Sequence, residues 1–114
     1  MLEKSERPWG RYEVLQEAAN YKVKSIHVLP GKRLSYQRHQ KRSEHWYITQ
    51  GNGEVTLDGK VELVSAGSII QVPQGMLHRI SNTSSTELIF VEVQTGSYFG
   101  EDDIERVEDD FGRQ

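Results

Sequence analysis

Residues 53–64 read GEVTLDGKVELV. Two runs of alternating apolar and polar residues flank the pair Asp58-Gly59. That pair is the chemistry of a two-residue hairpin turn, whose central positions require positive φ. A strand period of two on both sides of such a turn predicts two antiparallel strands, and the same grammar repeats along the chain. YKVKSIHV, EHWYITQG, VELVSAGS, SIIQVPQG, HRISNTSS and ELIFVEVQTG are short alternating or apolar runs separated by Gly, Pro, Asn and Ser. Their spacing of about 8 to 12 residues is the signature of an all-β sandwich or barrel. No long helical periodicity competes with it. Between Val72 and Gly75, Pro73 at the second turn position and Gly75 at the fourth suit a type I turn that redirects the chain just before His78. The acidic tail from Glu101 carries Ile104, Val107 and Phe111 at spacings of three and four, which suits a short amphipathic helix or an ordered arm.

Composition bounds the function. At 114 residues the chain is expected to form one domain, residues 1–114, burying roughly two thirds of its unfolded surface. It has no cysteine, so disulfides and thiolate metal sites are excluded and His, Asp, Glu and Gln are the candidate ligands. With 14 Lys plus Arg against 17 Asp plus Glu, the net charge of -3 argues against nucleic acid or a membrane surface as a partner. The N-terminal MLEKSERPWG is charged, without a signal-peptide core, and no apolar run reaches the roughly 18 residues of a membrane span. A soluble cytoplasmic protein is the expectation.

The chemistry gathers in QRHQKRSEHW, residues 37–46. Strand parity lets Gln37 and His39 project together, since residues two apart share a face. In the strand starting at Glu44, parity puts Glu44, Trp46 and Ile48 on one side and His45, Tyr47 and Thr49 on the other. If Glu44 faces inward, His45 does not. Gln37, His39 and Glu44 offer two oxygens and an imidazole nitrogen, a set suited to Zn, Mn, Fe, Co or Ni. His78, directly after the PQG turn, is the natural fourth candidate.

A longer pattern embraces these residues. Gly31, Gln37, His39, Glu44 and Gly51 match the spacing of the first cupin motif, with Gln in place of its usual first histidine. Gly67, Pro73, Gly75, His78 and Asn82 match the second motif without a gap. The chain therefore resembles the cupins, small antiparallel β-barrels or jelly rolls whose two motifs supply ligands to one metal. The resemblance implies a divalent metal, Zn first, at Gln37, His39, Glu44 and His78. Within the cupins, RPWGRYEVL, YKVKSIHVLPGKRLSYQRHQKRSEHW, GSIIQVPQGMLHRISN and EVQTGSYFGEDDIERVEDDFGR are similar to the C-terminal domain of type II mannose-6-phosphate isomerases. In that family the domain commonly follows a GDP-mannose pyrophosphorylase domain, for which this chain shows no glycine-rich nucleotide-binding segment, so an isomerase module standing alone is expected.

The activity so implied is interconversion of mannose 6-phosphate and fructose 6-phosphate. That chemistry moves a proton between C1 and C2 and stabilises charge on a sugar oxygen. Arg42, two residues before Glu44 and matching the family pattern Q-x-H-x-x-R-x-E-H-W, is expected either to polarise a substrate oxygen or to bind phosphate. Lys24, Arg33 and Arg79 are the other candidates for gripping the phosphate, and Tyr98 a candidate sugar contact. Glu92 is a candidate general base. Glu101, Asp102 and Asp103 compete for that role if the tail folds over the mouth and burial raises a carboxyl pKa, and His45 does so only if the parity argument fails. The alternative class is a non-catalytic sugar or sugar-phosphate binding cupin, partner to a separate nucleotidyltransferase. Trp9 and Phe111, near the two termini, could cover sheet edges against a second copy, so a homodimer is expected.

Overall fold

The computed structural model describes residues 3–113. Eleven strands follow in chain order: β1 (Lys4–Arg7), β2 (Gly10–Glu17), β3 (Tyr21–Val28), β4 (Tyr36–Arg38), β5 (Arg42–Gln50), β6 (Asn52–Leu57), β7 (Lys60–Ser65), β8 (Ile69–Val72), β9 (His78–Asn82), β10 (Leu88–Gly96) and β11 (Glu105–Glu108). They form a six-stranded sheet in the order β1-β2-β3-β10-β5-β8 and a five-stranded sheet in the order β11-β4-β9-β6-β7. Among the described residues there is no helix, and so none long and apolar enough to cross a membrane. The hairpin of residues 53–64 is as expected: β6 pairs with β7 from Asn52↔Ser65 to Leu57↔Lys60. Asp58 and Gly59 carry φ of 45° and 84° between the strands, the doubly positive turn that matches strand twist.

The inner faces read directly from strand parity, and each changes character along its length. On β10 the inward residues run Leu88, Phe90, Glu92, Gln94; on β3 they run Val28, Ile26, Lys24, Lys22; on β5 they run Ile48, Trp46, Glu44, Arg42. The strands are in register, Phe90 opposite Ile26 and Ile48, Glu92 opposite Lys24 and Trp46, Gln94 opposite Glu44. One end of the sandwich is therefore dry and apolar, closed by Val55 and Ile80 from the second sheet. Fully burying such aliphatic and aromatic side chains contributes about 1.5–3 kcal/mol each. That packing holds the polar end in shape.

Two local expectations need correcting, and one left between two alternatives is resolved. The turn before His78 spans Pro73–Met76, since the Met76 amide donates to the Pro73 carbonyl at 3.2 Å. It lies one residue later than expected because Gly75, with φ of 81°, takes the third position, where a type II turn needs positive φ. The acidic tail is an arm without a helix. β11 adds to the edge of β4 through Glu105↔Arg38 and Arg106↔Gln37, and Arg38 Nε donates to Glu105 at 2.6 Å. An open strand edge and opposite charges across it outweigh the weak apolar spacing of so acidic a segment. Trp9 lies in the core and so is not a surface to cover a sheet edge, while Phe111 packs partly buried against that core.

Candidate metal centre and cavity

The polar ends of the inner faces line a cavity of about 160 Å³ at one mouth of the sandwich. Arg42, Glu44 and Trp46, alternate residues of β5, are tied along the strand. Trp46 Nε1 donates to Glu44 Oε1 at 2.9 Å, and Arg42 Nε donates to Glu44 Oε2 at 2.8 Å. Each oxygen of the buried carboxylate thus has one protein donor, which fixes its plane. Around it stand His39, its Nε2 3.4 Å from Glu44 Oε2, and His78, its Nε2 4.0 Å from Glu44 Oε1. The donor atoms of the three residues lie within 4.8 Å of one another.

The imidazoles are preset for ligation. His39 Nδ1 donates to the Asp103 carbonyl at 2.6 Å and His78 Nδ1 to the Met76 carbonyl at 2.9 Å. These bonds put the proton on Nδ1, and Arg42 Nη2, 3.2 Å from His39 Nε2 and able only to donate, requires the same tautomer. Both Nε2 lone pairs therefore face the cavity. Burial, followed by the Arg42 charge, lowers His39 to about 4; burial likewise lowers His78. Neutral imidazoles anchored by a carbonyl, beside one carboxylate, are the donor set a divalent cation takes. Ligands of one ion with bonds of about 2.1 Å stand at most about 4.2 Å apart; the two separations from Glu44, 3.4 and 4.0 Å, meet that limit, and the full three-atom cluster, spread over up to 4.8 Å, closes onto an ion with a small inward shift of the imidazoles. Gln37 lies opposite His78 in the β4–β9 pair and lines the same cavity. Its amide nitrogen donates to the Ser35 hydroxyl at 2.9 Å and to the Ser35 carbonyl at 3.3 Å. Its amide oxygen is then the end it can offer a cation.

The structure brings together Gln37, His39, Arg42, Glu44, Lys24, His78, Arg79 and Glu92, and leaves out Arg33 and Tyr98. Arg33 is exposed and clasps Asp110 of the arm at 2.7 and 2.8 Å. Tyr98 is 41% exposed, with its hydroxyl donated to Asp102. His45 points outward to Gln71, as parity predicts. Arg79 reaches the cavity wall, but its guanidinium is committed to the Leu34 carbonyl and to Glu108. Lys24 is 2% exposed, a buried cation stacked 4.1 Å from the Tyr12 ring centre.

Charge separates the two acidic groups of the mouth. Glu92 is pushed well above the usual carboxylate range, first by burial and then by the charge of the neighbouring Glu44. Glu101 does fold over the mouth, and burial pushes its carboxyl upward, yet the net shift is down. Lys24 Nζ at 3.1 Å and Arg42 Nη1 at 3.2 Å outweigh desolvation and hold it down at about 2. It is a fixed anion, contrary to the expectation that burial would raise it into the range of a base. Arg42, held by Glu44, Glu92 and Glu101 against the cost of burial, stays charged.

Sequence reasoning missed Arg7, Arg106 and Arg113, which also line the cavity. Burial, then the Arg113 charge and that of Arg7, lowers Arg106, so three cations converge. Arg106 Nε is one of two buried side-chain polar atoms without a partner among the described residues, the other being Gln94 Oε1. A signal existed: Arg106 and Arg113 are the only basic residues from Glu101 onward.

A two-sheet sandwich with its His/Glu/His cluster at one mouth is the architecture of a cupin. The chain belongs to the family described as Mannose-6-phosphate isomerase C-terminal, which matches residues 1–109. It is 45% identical over 107 residues to the alginate biosynthesis protein AlgA of Pseudomonas aeruginosa, covering 94% of this chain and 22% of that protein. It is 42% identical over 107 residues to the mannose-1-phosphate guanylyltransferase ManC of Salmonella typhimurium, with the same two coverages, 94% and 22%. The chain thus spans about a fifth of the length of these curated relatives. Among solved structures, the fold resembles an oxalate decarboxylase of Lactobacillus farciminis (TM-score 0.80, 21% identity, 93% of this chain and 33% of that one). It also resembles a double-stranded β-helix protein of Klebsiella pneumoniae (TM-score 0.74, 25% identity, 84% and 82%).

Proposed function

We propose that this protein interconverts mannose 6-phosphate and fructose 6-phosphate. The observation that carries the reading is the placement of Glu92, a carboxyl with a raised pKa, in one buried cavity with the His39, Glu44 and His78 cluster. Family membership supports the substrate class. A divalent cation held by His39, Glu44 and His78, with Gln37 beside them, would supply Lewis acidity toward the sugar oxygens. Glu92, poised by burial toward neutral pH, takes the proton from one carbon and returns it to its neighbour. The guanidinium of Arg42 stays charged throughout and balances the negative charge that develops on the sugar. Lys24, salt-bridged to Glu101, lies on the same wall and orients the hydroxyl end. Arg106, with Arg7 beside it, grips the phosphate, while Arg113, paired with Asp109, adds charge to the same wall; the unpartnered Nε of Arg106 is a donor waiting for an anion.

Protein loaded with Zn, Mn or Co should form fructose 6-phosphate from mannose 6-phosphate in a coupled assay. His39→Ala and His78→Ala should each lose both metal and turnover. Stoichiometric metal binding without turnover of any hexose phosphate would replace the isomerase with a sugar-phosphate binding module.

A further inference from the structure

The two imidazoles of the cluster are anchored in different ways. His78 belongs to β9, and the carbonyl that holds its Nδ1 is that of Met76, two residues away. His39 lies between β4 and β5, outside either ladder, and its Nδ1 is held by Asp103, 64 residues later in the C-terminal arm. Asp103 also grips the loop that carries His39: its two carboxylate oxygens accept the amides of Gln40 at 3.1 Å and Lys41 at 2.9 Å.

We propose that Asp103 is a positioning residue for the cation centre, so that closure of the arm and binding of a divalent cation are linked. The inference rests on the reading of His39, Glu44 and His78 as cation ligands. An Nδ1–H donated to a carbonyl fixes both the tautomer and the ring orientation of a ligating histidine. With the arm detached, the His39 ring is free to rotate and to carry its proton on Nε2, where it cannot ligate. Arg42 supplies a second tie. Its guanidinium donates to His39 Nε2 at 3.2 Å and to Glu44 Oε2 at 2.8 Å, the atoms a cation would need. A cation entering the cluster must displace those hydrogens, and Glu101 of the arm, already 3.2 Å from Arg42 Nη1, is the carboxylate that receives the displaced guanidinium. The closed arm thus braces a ligand on one side and supplies a counter-charge on the other. By thermodynamic reciprocity, a cation that binds the closed form more tightly must hold the arm shut by the same factor.

The test uses the full chain and Zn²⁺. Affinity is read by competition with a chromophoric chelator, and arm closure by amide hydrogen exchange of residues 97–113 with and without Zn²⁺. Asp103→Ala should weaken Zn²⁺ binding by roughly tenfold. Asp103→Asn, whose amide oxygen keeps part of the capping, should fall between that variant and the wild type. In the wild type Zn²⁺ should slow exchange of residues 101–106, and His39→Ala should abolish the slowing. Wild-type Zn²⁺ affinity in a folded Asp103→Ala protein would overturn the linkage. So would stoichiometric Zn²⁺ binding that leaves arm exchange unchanged, a measurement that needs no variant. Failure of the wild type to take up Zn²⁺ at all would instead overturn the cation-site reading on which the linkage rests.

Discussion

Each oxygen of Glu44 has its own donor on β5, Trp46 on one and Arg42 on the other, and this preorganisation lets one short carboxylate serve a cluster that reaches across two sheets. The proposed mechanism asks no proton transfer of Glu44 and assigns it to Glu92. Glu92→Gln should therefore cut kcat by about 10²–10⁴-fold while Zn²⁺ stoichiometry, measured on the dialysed protein, stays at the wild-type value. Equal turnover in the variant would assign the proton transfer elsewhere. Arg106 is assigned by the same proposal to binding in place of chemistry. A lost charged hydrogen bond costs about 1.5–3 kcal/mol, so Arg106→Ala should raise KM for mannose 6-phosphate on the order of 10- to 100-fold with a smaller change in kcat. A KM unchanged by the substitution would remove the phosphate from this corner of the cavity.

At the scale of the strand, the site exists because β3, β5 and β10 each switch from apolar to charged residues along one face, in register. The dry half clamps the wet half. Phe90, fully buried and 4.8 Å from the Trp46 ring, sits at the boundary between them. Phe90→Ala should destabilise by about 3–5 kcal/mol, seen as a lower midpoint in urea denaturation. Its effect should also reach the site, because Trp46 holds Glu44. Parity within each strand was legible in the sequence: position alone puts Glu44 and His45 on opposite faces. The register between strands was not, which is why Glu92 was only one candidate base among several. Where β10 ends, Gly96 lets the chain turn into the arm. A Cβ there would lie 2.2 Å from the Lys41 carbonyl, at a φ of 151°. Only a residue without a side chain allows that approach.

Across the whole molecule, carboxylates of the arm tie it down. Glu101 holds Lys24 and Arg42 and Asp110 holds Arg33, while Asp109 holds Arg113 within the arm itself and braces its end. Their cations outweigh desolvation in Glu101, and hydrogen bonds from the cations lead in the other two. Glu101 drops from 4.5 to about 2 and Asp109 from 3.8 to about 2, and Asp110 is lowered as well. A carboxylate whose folded pKa is depressed contributes stability above its unfolded pKa and loses it as pH falls through the folded one. Arm protection in hydrogen exchange should thus be complete above about pH 5 and decay between about pH 4.5 and 2, ahead of the apolar core strands. Simultaneous loss in arm and core would mean that the arm is no separate unit.

The sequence by itself determined most of the strands, the alternation of faces within each, the hairpin at Asp58-Gly59 and the spacing that makes His39, Glu44 and His78 candidates for one centre. Those are local properties, carried by side-chain period and turn chemistry. Only the tertiary structure decided what surrounds that centre. It buried Lys24 instead of leaving it solvated, sent Arg33 to Asp110 and out of the cavity, and brought Arg7, Arg106 and Arg113 from the two ends of the chain to one wall. It also turned Glu101 from a candidate base into a fixed anion. The physical reason is that a pKa and a contact depend on which charges meet through space. In this chain the decisive partners, Lys24 with Glu101 and His39 with Asp103, stand 77 and 64 residues apart.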